Sequence, residues 1–102
     1  MSGCAGSEPF ALQVLGDSME PEFPDGAIII VEPGVVVSDG CYVVAHQNQE
    51  VLLRQLKISE QQWSLVALNP QYPEIRINGL NDIRGRVIQR AGRRRKDRKS
   101  YL

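Results

Sequence analysis

The chain has little of what would make several function classes readable. It holds two cysteines, Cys4 and Cys41, in 102 residues. That is too few for a disulfide framework, and their spacing fits no metal-ligand pattern. His46 is the single histidine, and neither a metal nor a cofactor is expected. Lysine is scarce as well, with Lys57, Lys96 and Lys99 the only three. The longest apolar run, Ala27-Ile28-Ile29-Ile30-Val31, falls far short of the roughly 20 residues of a membrane-spanning helix. The opening Met1-Ser2-Gly3-Cys4-Ala5-Gly6 lacks the basic and apolar regions of a signal peptide. The expectation is a cytoplasmic chain with no membrane contact.

What is present fits one ordinary globular domain with a modest core. Apolar residues make up 42% and charged residues 24%, which is too apolar for a disordered chain. Twelve bases balance twelve acids, but unevenly. Residues 1–83 carry three bases (Arg54, Lys57, Arg76) and eleven acids, a net of −8. Residues 84–102 carry nine bases and one acid, a net of +8. The basic excess peaks in Arg93-Arg94-Arg95-Lys96-Asp97-Arg98-Lys99. Such a run is either a contact for nucleic acid or another polyanion, spanning residues 93–99, or a solvated, mobile tail or one attracted to the acidic body. It holds no aromatic before Tyr101 to stack on a base, which favours the tail.

Short β-like runs separated by turn signals fill the middle of the chain. They are Phe10–Leu15, Ala27–Glu32, Cys41–His46, Glu50–Lys57, Gln62–Leu68, Glu74–Ile77 and Asp82–Arg90. Pro24-Asp25-Gly26, Glu32-Pro33-Gly34, Ser38-Asp39-Gly40, Asn69-Pro70 and Asn78-Gly79 punctuate them. No segment of ten or more residues has a helical period, and Asp17–Phe23 is the one stretch read as a helical turn, capped by Asp17 with Glu20 as its partner. The expected fold is mostly β, a coiled and partly closed barrel of short strands. Residues 10–90 form the domain, between flexible ends at 1–9 and 91–102.

One serine sits where a nucleophile is commonly exposed, in the turn Gly16-Asp17-Ser18-Met19-Glu20-Pro21 after a strand. A following helical turn would aim free N–H groups near it, although an N-capping role explains the same residues. Ser18 needs a base. His46 has no Asp in an orienting position, and a lysine kept neutral by burial is the other option.

Gly16-Asp17-Ser18-Met19-Glu20-Pro21, with Pro24-Asp25-Gly26 and Ile28-Ile29-Ile30-Val31, resembles the self-cleaving domain of LexA, UmuD and lambda-type phage repressors. The likeness continues through Ser38-Asp39-Gly40, Tyr42-Val43-Val44-Ala45 and Glu50–Leu56. Leu68-Asn69-Pro70-Gln71-Tyr72-Pro73 and Arg84-Gly85-Arg86-Val87-Ile88 look most like the phage-repressor branch. The resemblance covers roughly residues 10–90. It implies a LexA-like fold, a homodimer, a Ser-Lys peptidase dyad with Ser18 as nucleophile, Met19 in contact with substrate, and a peptide of the chain itself or of a partner as substrate.

The departure from that pattern lies in the strand Val51-Leu52-Leu53-Arg54-Gln55-Leu56. Arg54 stands where the family's general-base lysine is placed. A guanidinium stays protonated in proteins, so it cannot take the Ser18 proton. Lys57 is the substitute base to weigh. An odd offset of three residues on a strand turns it to the other face, about 10 Å along. Ala5-Gly6 resembles the family's cleaved dipeptide but lies only twelve residues from Ser18. The stretch ahead of residue 10 is too short for a helix-turn-helix, so a DNA-binding domain is expected to be lacking or to belong to a longer chain. The expectation is therefore a peptidase fold with impaired or no catalysis, serving dimerisation in a transcriptional regulator. An active self-cleaving serine peptidase is the alternative.

Overall fold

Four consecutive β-branched residues, Ile28-Ile29-Ile30-Val31, favour extended backbone. They form strand β2 (Ile28–Glu32) in a computed structural model that describes residues 8–34, 36–91 and 98–101. The other expected runs become β1 (Phe10–Gln13), β3 (Tyr42–Gln47), β4 (Glu50–Ser59), β5 (Gln62–Val66), β6 (Ile75–Ile77) and β7 (Ile83–Ala91). β8 (Lys99–Ser100) has no counterpart in the sequence reading. The mostly β expectation holds.

All strands join one antiparallel sheet in the order β1-β2-β7-β3-β4-β5-β6, and β8 pairs with β7. β1 and β6 do not pair, so the sheet stays open rather than closing into a barrel. Register shifts at Ile30/Val31 and Val44/Ala45 add local twist. The hairpins β3–β4 and β4–β5 turn through Asn48-Gln49 and Glu60-Gln61, with positive φ at both central residues of each. That is the hairpin-compatible turn geometry, reached here without glycine. β4 keeps unbroken register against β3 and β5.

β3 carries both cores, because successive side chains alternate across the sheet. Val44 joins Val14, Met19, Phe23, Ile29, Val31 and Val87 on one side. Cys41, Val43 and Ala45 join Leu56, Leu65 and Ile77 on the other. Where β2 and β7 meet, Gly85 leaves no room for a side chain. A Cβ there would stand 2.7 Å from Val31 Cγ1 and 3.0 Å from the Glu32 carbonyl oxygen. Gly85→Ala is expected to cost about 1–3 kcal/mol through overpacking, read as a lower urea midpoint at unchanged slope.

The basic end is not wholly a free tail. Lys99 and Ser100 pair with Arg90 and Gln89 of β7. Lys99 Nζ donates to Glu22 Oε2 at 2.8 Å and Tyr101 Oη to the same oxygen at 2.6 Å. Arg90 donates to the Glu22 carbonyl and lies 3.5 Å from its carboxylate. The Tyr101 ring packs on Phe23 and Tyr42 at 5.3 and 5.4 Å. Residues 98–101 thus lie against the body, and Lys99 is spent on Glu22. The rest of the basic run, residues 93–97, lies outside the described residues.

The bonds from Lys99 and Tyr101 hold the Glu22 carboxyl below its ordinary value. A carboxyl lowered on folding stabilises the fold above its unfolded value, and loses that contribution as pH falls through the folded one. Glu22→Gln should therefore lower the melting temperature at neutral pH. The gap to the unmodified chain should close in acid.

Candidate functional site

Val14 ends the first strand's path by bonding across to the next. Its N–H donates to the Ala27 carbonyl and its carbonyl accepts from Gly26 N–H, both at 2.7 Å. The chain then reverses at Gly16, whose φ of 90° is open mainly to glycine. Gly16 N–H donates to Asp25 Oδ1 at 2.6 Å. Residues 17–23 form turns rather than a helix. Glu20 N–H reaches the Asp17 carbonyl at 3.3 Å, and Phe23 N–H the Met19 carbonyl at 2.8 Å. The expected Asp17 cap is not formed. Its Oδ1 instead accepts from Tyr72 Oη at 2.6 Å. Asn69 clamps the same turn, donating its N–H to the Ser18 carbonyl at 2.9 Å and Nδ2 to the Asp17 carbonyl at 3.3 Å.

Met19 and Phe23 drive the turn into the core, and both are 0% exposed. Met19, expected against a substrate, has its side chain wholly inside the core, where it anchors its neighbour Ser18. Ser18 stays partly exposed at the edge of the core.

Arg54 comes to Ser18 from β4. It is only 7% exposed. One Nη1 hydrogen goes to Ser18 Oγ at 3.0 Å and the other to the Leu53 carbonyl at 2.8 Å. Its guanidinium carbon lies 5.6 Å from the Tyr72 ring centre, within cation–π reach. Nε is buried with no partner. Two nearby acids of the Ser18 turn are engaged elsewhere: Glu20 accepts from Asp25 N–H at 3.4 Å and Asp17 from Tyr72. Among the described residues no carboxylate pairs with Arg54, and the described ion pairs both centre on Glu22. Burial pulls the guanidinium below its ordinary value, with Tyr72 opposing. An arginine starts so high that it remains a cation, able to donate but not to accept. The Tyr72 hydroxyl is raised by its bond to Asp17 and by that residue's charge.

The other candidates lie elsewhere. Lys57 is exposed, opposite Ser64 on β5, while Arg54 is buried opposite Val43 on β3. No bulge in β4 offsets the alternation. His46 is exposed near the end of β3, opposite Val51. Ala5-Gly6 lies outside the described residues. In the sequence Asn69 and Tyr72 stand in Leu68-Asn69-Pro70-Gln71-Tyr72-Pro73, which assigns neither side chain a role. The Asn-Pro-x-Tyr-Pro spacing was the one signal that this loop reaches the serine.

Ser18, Arg54 and Tyr72 open onto a cavity of about 430 Å³, whose apolar lining includes Leu12, Val14, Leu15, Val51 and Leu53. Chemically the site aims a cation at a serine oxygen. It can hold that oxygen as a hydrogen-bond acceptor, and among the described residues the side chain bonded to it is a donor.

The family model described as Peptidase S24-like matches residues 3–88. Curated relatives include an HTH-type transcriptional regulator for conjugative element R391 from Providencia rettgeri, 44% identical over 96 residues, covering 87% of this chain and 45% of the relative. Prophage repressor CohE of Escherichia coli K12 is 40% identical over 87 residues, covering 81% and 39%. The LexA repressor of Oleidesulfovibrio alaskensis is 36% identical over 84 residues, covering 79% and 41%. The chain thus spans less than half the length of these relatives. With the match running through the Ser18 turn, β4 and most of β7, this chain belongs to the Peptidase S24-like family.

Proposed function

We propose that this chain is a peptidase-fold module of a repressor-type transcriptional regulator in which Ser18 is held inactive and the domain serves dimerisation. One observation carries the reading: Arg54 Nη1 donates to Ser18 Oγ at 3.0 Å. A serine attacks a carbonyl only as its proton leaves to a neighbouring base. Here the neighbour is a donor that cannot accept, and Lys57 is on the exposed side of β4. The regulator role is supported by the relatives, whose names are those of repressors and of an HTH-type regulator.

Intact-mass analysis after long incubation at mildly alkaline pH tests the inactive serine. One species of unchanged mass is the expected outcome. A fragment whose release depends on Ser18 would establish self-cleavage instead. Sedimentation tests the dimer: twice the chain mass is expected, and the monomer mass at micromolar concentration would refute it.

A further inference from the structure

An arginine that cannot serve as a base is still a strong binding group. Both Nη1 hydrogens of Arg54 end on neutral oxygens, and Nε has no partner. A buried cation without a counter-charge is costly, and the guanidinium fork is matched to carboxylates. Here that charge stands in a cavity of about 430 Å³ whose other walls are largely apolar, a size within the usual range of about 300–1,000 Å³ for ligand sites.

The sheet supplies a second, independent feature. Along one edge, Glu50–Arg54 pair with β3. Along the other, β5 pairs only from Gln55 onward. Among the described residues, the first half of β4 therefore presents an unpaired strand edge that stops at Arg54, where β5 begins. Val51, Leu52 and Leu53 on this stretch line the cavity. An extended segment added here follows the strand-addition mode. It must end beside Arg54, because β5 occupies the edge beyond. The end of a chain that suits a buried cation is its carboxyl terminus. Glu50 also lines the cavity, but it is exposed and four residues from Arg54, about 13 Å at the strand rise. At that distance it leaves Arg54 open to a ligand and disfavours an acidic residue further up the peptide.

We infer that the Arg54 site binds the free carboxyl terminus of an extended apolar peptide, laid along the open edge of β4. The inference rests on the inactive-serine reading, since it gives Arg54 a binding role in place of a catalytic one.

The test uses fluorescence polarisation with the full chain and fluorescein-labelled pentapeptides of valine and alanine. Three forms are compared: free acid, carboxy-terminal amide, and amide with one internal glutamate. The free acid should bind at least about tenfold tighter than either amide, the value of one charge-assisted pair. Arg54→Gln should remove the preference. Equal binding of acid and simple amide, or no binding of the acid at millimolar concentration, would overturn the inference. So would a glutamate amide that matches the acid, because a side-chain carboxylate would then be the ligand. If Arg54→Gln does not fold, the acid-against-amide comparison on the unmodified chain decides alone. Mass spectrometry of the same mixtures reports cleavage separately. Cut peptide sinks the inactive-serine reading, whereas intact peptide without preferential binding sinks only the carboxylate site.

Discussion

Arg54→Lys should turn Ser18 from inert to reactive. The expected gain in labelling by a serine-directed phosphonylating reagent is about 100-fold or more, the low end of what a positioned general base contributes. The position already has what a lysine base needs. It is 7% exposed, so burial would push a lysine amine toward its neutral form. Its present side chain reaches the serine oxygen at 3.0 Å, with no carboxylate among the described residues to hold a proton on a lysine there. Labelling should rise with pH as the amine deprotonates. Arg54→Gln separates two explanations. It removes the cation without supplying a base, and should leave Ser18 unlabelled. Equal labelling of both variants would mean that arginine merely blocks access. No labelling of a folded Arg54→Lys variant would mean that the Ser18 turn is itself not competent.

Phe23→Ala should be the most damaging single change to the fold. The ring is 0% exposed and meets Tyr42 edge-on at 4.8 Å and Tyr101 at 5.3 Å. Truncating such a phenylalanine costs about 3–5 kcal/mol, a large part of the roughly 5–15 kcal/mol that a domain has. The melting temperature should fall by at least about 12 °C for a chain of this size. Two local effects should accompany the loss. The Ser18 turn is anchored at its far end by this ring, and Tyr101 loses a packing partner beside Glu22. Amide exchange at Lys99–Tyr101 should therefore quicken more than exchange in β3. A drop of only a few degrees would show that the turn is held mainly by Asn69 and Gly16.

The strands were legible because their signals are local. β2 is β-branched at four successive positions, and β3 reads as an apolar run because both its faces are buried. Strand parity placed Lys57 away from Arg54, and the unshifted register of β4 preserves that parity. Other features had no local signal. Glu60-Gln61 turns a hairpin with neither glycine nor asparagine, because pairing on both sides forces the geometry. β8 is two residues at the end of a basic run, and its place comes from Glu22, 77 residues away from Lys99. The Tyr72–Asp17 bond spans 55 residues. Asp17 reads locally as a cap, a common use of that residue type, and a distant tyrosine claims it instead. The burial of Met19 likewise has no local signal, because it comes from packing against strands distant in sequence.

The central claim is that Arg54 leaves Ser18 without a base. The most direct measurement is the labelling rate of the unmodified chain by the serine-directed reagent, followed from neutral to mildly alkaline pH with the adduct mapped by peptide mass. The account predicts a rate at the reagent's background, flat with pH, and no adduct on Ser18. A rate that climbs with pH and places the adduct on Ser18 would contradict it.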